Sequence, residues 1–240
     1  MSDIQLIHGD CLEEMKYFTD KSIDMILCDL PYGKTQNKWD SVISLEPLWV
    51  EYERIIKDNG AILLFGQDKF TAKVILSKEK LHRYNIIWKK TTPTGFLNAN
   101  KMPLRIHEDI MVFYKKLPIY NPQKTKGHKP VNSYTKHTSD GTTYGTTKIG
   151  ISGGGSTERF PQSVITFATD KQKKSLYSTQ KPVALLEYLI KTYTKEGDTV
   201  LDNTMGSGST GEACKNLNRK FIGIEKEKEA FEVAKERINE

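Results

Sequence analysis

Cys28-Asp29-Leu30-Pro31-Tyr32-Gly33 closes an apolar run, SIDMIL, that reads as a buried strand. A carboxylate, a proline-fixed turn and an aromatic ring therefore meet where that strand should end. In open α/β sheets this edge is where ligands bind. An acid there can accept hydrogen bonds, and a ring can offer a flat face for stacking. The plainer readings are a carboxylate that caps a turn and a ring that belongs to the core.

A second constellation lies in VLDNTMGSGSTGEAC, 200–214. The run TVLD ends in Asp202, a Gly-Ser-Gly turn follows at 206–208, and a helical pattern begins. Glycines let the backbone turn tightly and approach a ligand closely. The helix start would offer free N–H groups to an anion. About 20 residues on, FIGIE ends another strand in Glu225, the position from which a carboxylate grips ribose hydroxyls in nucleotide-binding βαβ units. Strand, acid, glycine turn, helix, strand and acid together point to an adenosine-type cofactor. Gly206, Gly208 and Gly211 also fit the dinucleotide spacing, so an NAD-type site and an ordinary tight turn both stay open at this level.

The elements that must position these residues follow from the apolar pattern. Strands are expected at 4–7, 24–28, 61–65, 84–88, 109–114, 199–202 and 220–224, and helices at 12–18, 45–57, 181–193, 210–217 and 229–239. This alternation predicts an α/β fold around a mostly parallel sheet. From 115 to 174 the rhythm breaks. That stretch has little helical periodicity, a GTTYGTT repeat and a GGG run, with eleven Lys and Arg against three Asp and Glu. It carries +8 of a formal net charge of +6, which leaves −2 for the rest. So long a loop within a domain is either functional or mobile. Its lysines, with Tyr120, Tyr134 and Tyr144 interleaved, suit contact with phosphates.

With 37% hydrophobic residues in 240, the chain can bury a real core. Cys11, Cys28 and Cys214 are scattered, with no CxxC pair; this argues against structural zinc and for a reducing cytoplasm. MSDIQLIHGD has no secretory signal pattern, and no apolar run approaches a membrane span. A cytoplasmic protein with no membrane partner and no metal is expected.

Taken together, the motifs resemble one family. DLPYG resembles the (D/N/S)PP(Y/F) motif of amino-group DNA methyltransferases, and DNTMGSGSTG resembles their DPFMGSGTT cofactor loop. STQKP, 178–182, is similar to their HPTQKP segment, and RIHEDIMVFYKK, 105–116, to their R-x-x-H-E strand. The order, catalytic motif, basic insertion, cofactor motif, is that of the permuted β class. The resemblance spans nearly the whole chain outside the insertion. Leu30 stands for the first proline of DPPY, Asn203 and Thr204 for the Pro-Phe of DPF, and Ser178 for the histidine of HPTQKP.

The resemblance implies a doubly wound, Rossmann-like methyltransferase sheet. Residues 1–114 would be the catalytic half, 115–177 an inserted target-recognition region, and 178–240 the cofactor half. The implied reaction moves a methyl group from S-adenosyl-L-methionine to adenine N6 in double-stranded DNA, with cytosine N4 as the runner-up. A non-catalytic DNA-binding relative, and an enzyme acting on RNA or on a protein glutamine, are the rivals from other classes. Asp29, Leu30, Pro31 and Tyr32 would form the catalytic site. Asp10, Lys181, Asp202, Asn203, Thr204, Gly206, Gly208 and Glu225 would bind the cofactor, with Lys181 facing its carboxylate. His107, Glu108 and Trp39 are expected to be structural, and the cysteines inert. The class also allows a homodimer and a partner restriction endonuclease.

Overall fold

The computed structural model describes residues 3–33, 42–135, 152–169 and 180–239. In chain order its elements are β1 (Ile4–His8), α1 (Cys11–Glu14), β2 (Ile23–Cys28), α2 (Leu45–Ile55), β3 (Ile56–Gly66), α3 (Asp68–Ser77), β4 (His82–Thr94), β5 (Arg105–Phe113), β6 (Tyr134–Thr135), β7 (Ser152–Gly153), β8 (Val164–Phe167), α4 (Val183–Tyr193), β9 (Thr199–Asp202), α5 (Ser209–Asn216), β10 (Lys220–Glu225) and α6 (Lys228–Asn239). Two compact units result, Met1–Asn121 with Ser163–Glu240, and Pro122–Gln162.

In the larger unit eight strands form one sheet in the order β1-β10-β9-β2-β3-β5-β4-β8. The β1–β10, β10–β9, β9–β2, β2–β3 and β4–β8 pairs are parallel, while β5 runs antiparallel to both β3 and β4. The fold is thus the expected α/β sheet. Strand order reverses between β2 and β9, which makes their carboxyl ends the switch point where such sheets bind ligands.

Alternation along the strands builds a core on each face. Met25 and Leu27 of β2 join one cluster, with Leu63 and Phe65 of β3, Leu185 and Leu189 of α4, Ala213 of α5 and Ile238 of α6. Ile26 and Cys28 join the other, with Ile62 and Leu64, and with Leu48, Tyr52 and Ile55 of α2 and Phe70 and Val74 of α3. Ile23 also joins the second cluster, and the β2–β3 register shifts between Ile23 and Met25. Each fully buried aliphatic side chain contributes about 1.5–3 kcal/mol, so these faces hold the sheet edge firmly.

In the larger unit, helix α3 and strand β8 lie outside the sequence expectation. Helix α3 buries Phe70, Thr71 and Val74, and the polar Thr71 interrupts its apolar stripe. Strand β8, VITF, pairs with β4 in the main sheet, though its short run is diluted by the polar residues around it. Strand β8 lies within the stretch 115–177 expected as an insertion, and 115–121 belongs to the same larger unit.

The smaller unit is an antiparallel ladder. Thr125 pairs with Arg159, His128 N–H donates to the Thr157 carbonyl (3.1 Å), Val131 N–H to that of Ser156 (3.0 Å), and Tyr134 and Thr135 pair with Gly153 and Ser152. None of its described residues is buried. Trp39, the GTTYGTT repeat with Tyr144, and Ser178 lie outside the described residues.

Candidate active site

The carboxyl ends of β1, β10, β9 and β2 carry Asp10, Glu225, Asp202 and Asp29 in that spatial order. Parallel pairing therefore gathers acids more than 170 positions apart in sequence on one edge.

At the end of β2, Leu30 is buried in the α2–α3 face and anchors the turn. Pro31 is half-buried beside it, and Gly33 turns with φ 66°. The Tyr32 ring packs against Phe70 of α3 with centroids 4.6 Å apart. Its hydroxyl donates to Asp29 Oδ1 at 2.7 Å. Burial first, then the Asp29 charge, push the Tyr32 phenol well above its usual pKa, so it remains a donor. Asp29 Oδ2 accepts from Lys181 Nζ. Lys181 precedes α4, and its ammonium also lies over the Phe65 ring (5.0 Å) and 3.4 Å from Glu108 Oε2. Lys181, expected from the resemblance to face the cofactor's carboxylate, engages Asp29 in this structure.

The loop after β9 is tied to the end of β2 by Thr204 and to α2 by Asn203, the two residues that stand for the Pro-Phe of the family's DPF. Thr204 Oγ1 donates to the Asp29 carbonyl (3.1 Å) and lies 2.9 Å from Cys28 Sγ. Asn203 Oδ1 accepts from the Tyr52 hydroxyl of α2 at 2.5 Å. Asp202 is buried; its oxygens accept from Thr204 N–H (3.2 Å) and the Thr210 hydroxyl (2.6 Å). Burial without a cation pushes its pKa up to about 6.

Gly206 and Gly208 turn with φ 53° and 77°. A side chain at Gly208 would come within 2.9 Å of Ala234 of α6, whereas the space above Gly206 is open. Glu225 accepts from Gly206 N–H (2.9 Å) and Glu227 N–H (2.8 Å), joining the turn to the end of β10. Asp10 caps α1 through Leu12 N–H (3.0 Å) and meets Lys226 Nζ at 3.1 Å. Its slight burial alone would raise its pKa, but Lys226 and the amide outweigh this and hold it low. Arg237 of α6, absent from the sequence reading, bonds Gln180 Oε1 (3.1 Å) and Ser209 Oγ (3.0 Å), tying the TQKP segment to the glycine turn. Only its place in a helical pattern was visible in the sequence.

His107 is exposed, and Glu108 is buried against Lys90 (2.5 Å). The three cysteines are buried free thiols. Burial leads the causes that raise their pKa values, as fits inert groups.

This edge can hold a molecule with a cationic centre and a nucleoside. Asp29 and Asp202 supply negative charge at adjacent strand ends, the open face of Gly206 admits close approach, and Asn203 Nδ2 is a buried amide with no hydrogen-bond partner. The family model of the N6/N4 methyltransferases, described as DNA methylase, matches residues 23–236. The chain belongs to this family. It is 29% identical to the type II methyltransferase M.HinfI of Haemophilus influenzae, over 98% of this chain and 68% of that relative. To M2.LlaDCHI of Lactococcus lactis subsp. cremoris it is also 29% identical, over 98% and 88%. Among solved structures, the M1.HpyAVI–SAM complex superposes with TM-score 0.70 at 28% identity, covering 99% of this chain and 100% of that one. The cytosine-N4-specific PvuII DNA methyltransferase shares the fold, with TM-score 0.72 at 14% identity over 99% and 86%. The protein is an S-adenosylmethionine-dependent DNA methyltransferase. No helix among the described residues is long and apolar enough to cross a membrane.

Proposed function

We propose that this methylase transfers the methyl group of S-adenosylmethionine to the N6 amino group of adenine in duplex DNA. The observation that carries the site assignment is the junction of β2 and β9. There the Asp29 side chain is held by Lys181 and Tyr32, while its carbonyl is bonded by Thr204 of the opposite loop. Acceptor and cofactor loop thus share one frame. The choice of adenine rests on the motif opening with Asp, as the family resemblance implies.

An exocyclic amino group is a poor nucleophile because its lone pair is delocalised into the ring. Hydrogen-bond acceptors around its protons localise that pair and stabilise the positive charge that develops on nitrogen. Asp29 and the Leu30 carbonyl are assigned this role. The Tyr32 ring, propped by Phe70, receives the base once it has left the stack. Asp202, Asn203, Thr204, Gly206, Gly208, Glu225 and Asp10 are assigned to the cofactor, with Glu225 at its ribose. S-adenosylmethionine supplies a sulfonium-activated methyl group, and the chain aligns the amino nitrogen with it. Residues 122–162 are assigned to target recognition within the basic stretch. Relatives named as type II methyltransferases support a place beside a cognate endonuclease, and the free cysteines fit a cytoplasmic setting.

The test is mass spectrometry of nucleosides from unmethylated duplex DNA incubated with the protein and methyl-labelled cofactor. Labelled N6-methyladenine is expected. Labelled N4-methylcytosine would keep the mechanism and move the base. No label, with cofactor bound, would overturn the proposal.

A further inference from the structure

Behind Asp29 lies a row of alternating charges drawn from four separate segments. Lys90 lies in β4, Glu108 lies in β5, Lys181 precedes α4, and Asp29 follows β2. Glu108 Oε1 is 2.5 Å from Lys90 Nζ, and its Oε2 is 3.4 Å from Lys181 Nζ, which in turn donates to Asp29 Oδ2. The three inner side chains are 8–11% exposed, and Asp29, at the open end, is 31% exposed. Taking three charges out of water is costly unless their geometry repays it. Burial alone would push the Lys181 ammonium down, yet Asp29 and Glu108 outweigh it and hold its pKa above the usual lysine value. Burial alone would likewise raise Glu108, and Lys181 and Lys90 outweigh that too.

The row is not symmetric. Glu108 Oε2 accepts no hydrogen bond, because the Lys181 ammonium lies nearer Asp29. Its nearest charged neighbour is therefore the carboxylate at the open end. A buried tie made only for stability would be expected to satisfy Glu108 first.

We propose that Lys181 is the positioning residue for Asp29, and that Glu108, braced by Lys90, positions Lys181. Lys181 holds Oδ2 and fixes the plane of the carboxylate. Oδ1, bonded in this structure by the Tyr32 hydroxyl, is the oxygen left to exchange that donor for an amino proton of the base. The inference rests on Asp29 being the amino-proton acceptor. It assigns Lys181 to the nucleophile's side of the reaction, not to the cofactor's carboxylate.

The experiment uses the full-length enzyme and its K181M, K181R, E108Q and D29N variants. The single-turnover rate of methyl transfer to duplex DNA at saturating S-adenosylmethionine is measured beside the cofactor Kd from calorimetry. K181M should lose roughly 10²–10³-fold in rate, with a cofactor Kd within about threefold of wild type. K181R should recover about tenfold or more of that loss, since it restores the charge beside Oδ2. E108Q, nearly isosteric, should lose about tenfold with unchanged Kd. A raised cofactor Kd with an unchanged saturated rate in K181M would overturn the proposal in favour of a cofactor contact. Equal rates for K181R and K181M would reduce Lys181 to packing and also overturn it. If K181M does not fold, a wild-type rate in E108Q overturns it on its own. D29N separates the two levels: a wild-type rate there removes the catalytic reading itself, whereas an inactive D29N beside an active K181M removes this inference alone.

Discussion

The strand ends that carry Asp29 and Asp202 rest on β2, β3 and β9, whose apolar side chains are almost wholly buried between two layers of helices. The ladder of residues 122–162 has no buried residue among those described and is held by backbone hydrogen bonds and exposed pairs such as Lys124–Glu158. Both regions carry charge, under opposite conditions. At the edge, charges are desolvated and fixed, so each acts strongly on its neighbour. On the ladder they remain in water, where each is worth little alone and counts by number. Chemistry requires the first condition, and reading a polyanion tolerates the second.

The sharpest test of this contrast is at Asp29. Asp29→Ala should lower methyl transfer by about a thousandfold or more while the cofactor Kd changes only severalfold, as measured by single turnover and calorimetry. Near-normal turnover would break the claim that the edge holds the chemistry. Stability should divide along the same line. Leu63, fully buried in the core, should cost about 2–5 kcal/mol on truncation to alanine, and Tyr134, half-exposed on the ladder, about 0.5 kcal/mol or less. Urea unfolding measures both, and equal losses would show that the ladder has a core of its own.

Much of the edge was legible in advance. Runs such as DMILC and AILLF are too apolar and too short for anything but buried strands, and Asp29, Asp202 and Glu225 stand where those runs stop. The fold and the family motifs therefore emerged together. What stayed hidden depends on contacts with no local trace. Cys28 and Thr204 touch across 176 positions, and Lys181 meets Asp29 across 152. No periodicity marks such pairs, so Thr204 and Lys181 could be read only as cofactor residues, without their ties to Cys28 and Asp29. Phe70 went unnoticed behind Tyr32 because α3 alternates lysine and threonine with its apolar residues. The ladder was illegible for another reason: with nothing buried among its described residues, it has no apolar pattern to read.

Asp202 offers a pH test of desolvation at the edge. Its pKa is pushed up to about 6 from the usual 3.8, so between those values the folded state binds more protons than the unfolded one. This contribution to stability is present below about pH 4 and is lost as pH rises through about 6. Charging the group costs about 3 kcal/mol above that range, with the help of its hydrogen bonds from Thr204 and Thr210 already included. Asp202→Asn should therefore gain stability relative to wild type between pH 4 and 7, by about 1–2 kcal/mol once the Thr210 bond is disturbed. It should also bind S-adenosylmethionine more weakly. A difference in unfolding free energy that stays flat with pH would mean that water reaches the carboxylate.

The smallest effects are expected on the ladder, and there their sign matters more than their size. Lys124 and Lys126 both approach Glu158, at 3.2 and 3.9 Å. Glu158 thus offsets part of the positive charge available to phosphates. Replacing Lys124, Lys126 and Lys129 with glutamine should weaken duplex binding by about tenfold and reduce the salt slope by up to about three. Single-turnover chemistry on fully bound DNA should be nearly unchanged. Glu158→Gln should act in the opposite direction, tightening binding severalfold at low salt, because it frees two cations without removing a phosphate contact. Fluorescence anisotropy over a salt series measures both. If Glu158→Gln weakens binding instead, the carboxylate serves to hold the ladder's shape, and the ladder resembles the sheet edge in requiring its charges to be fixed in place.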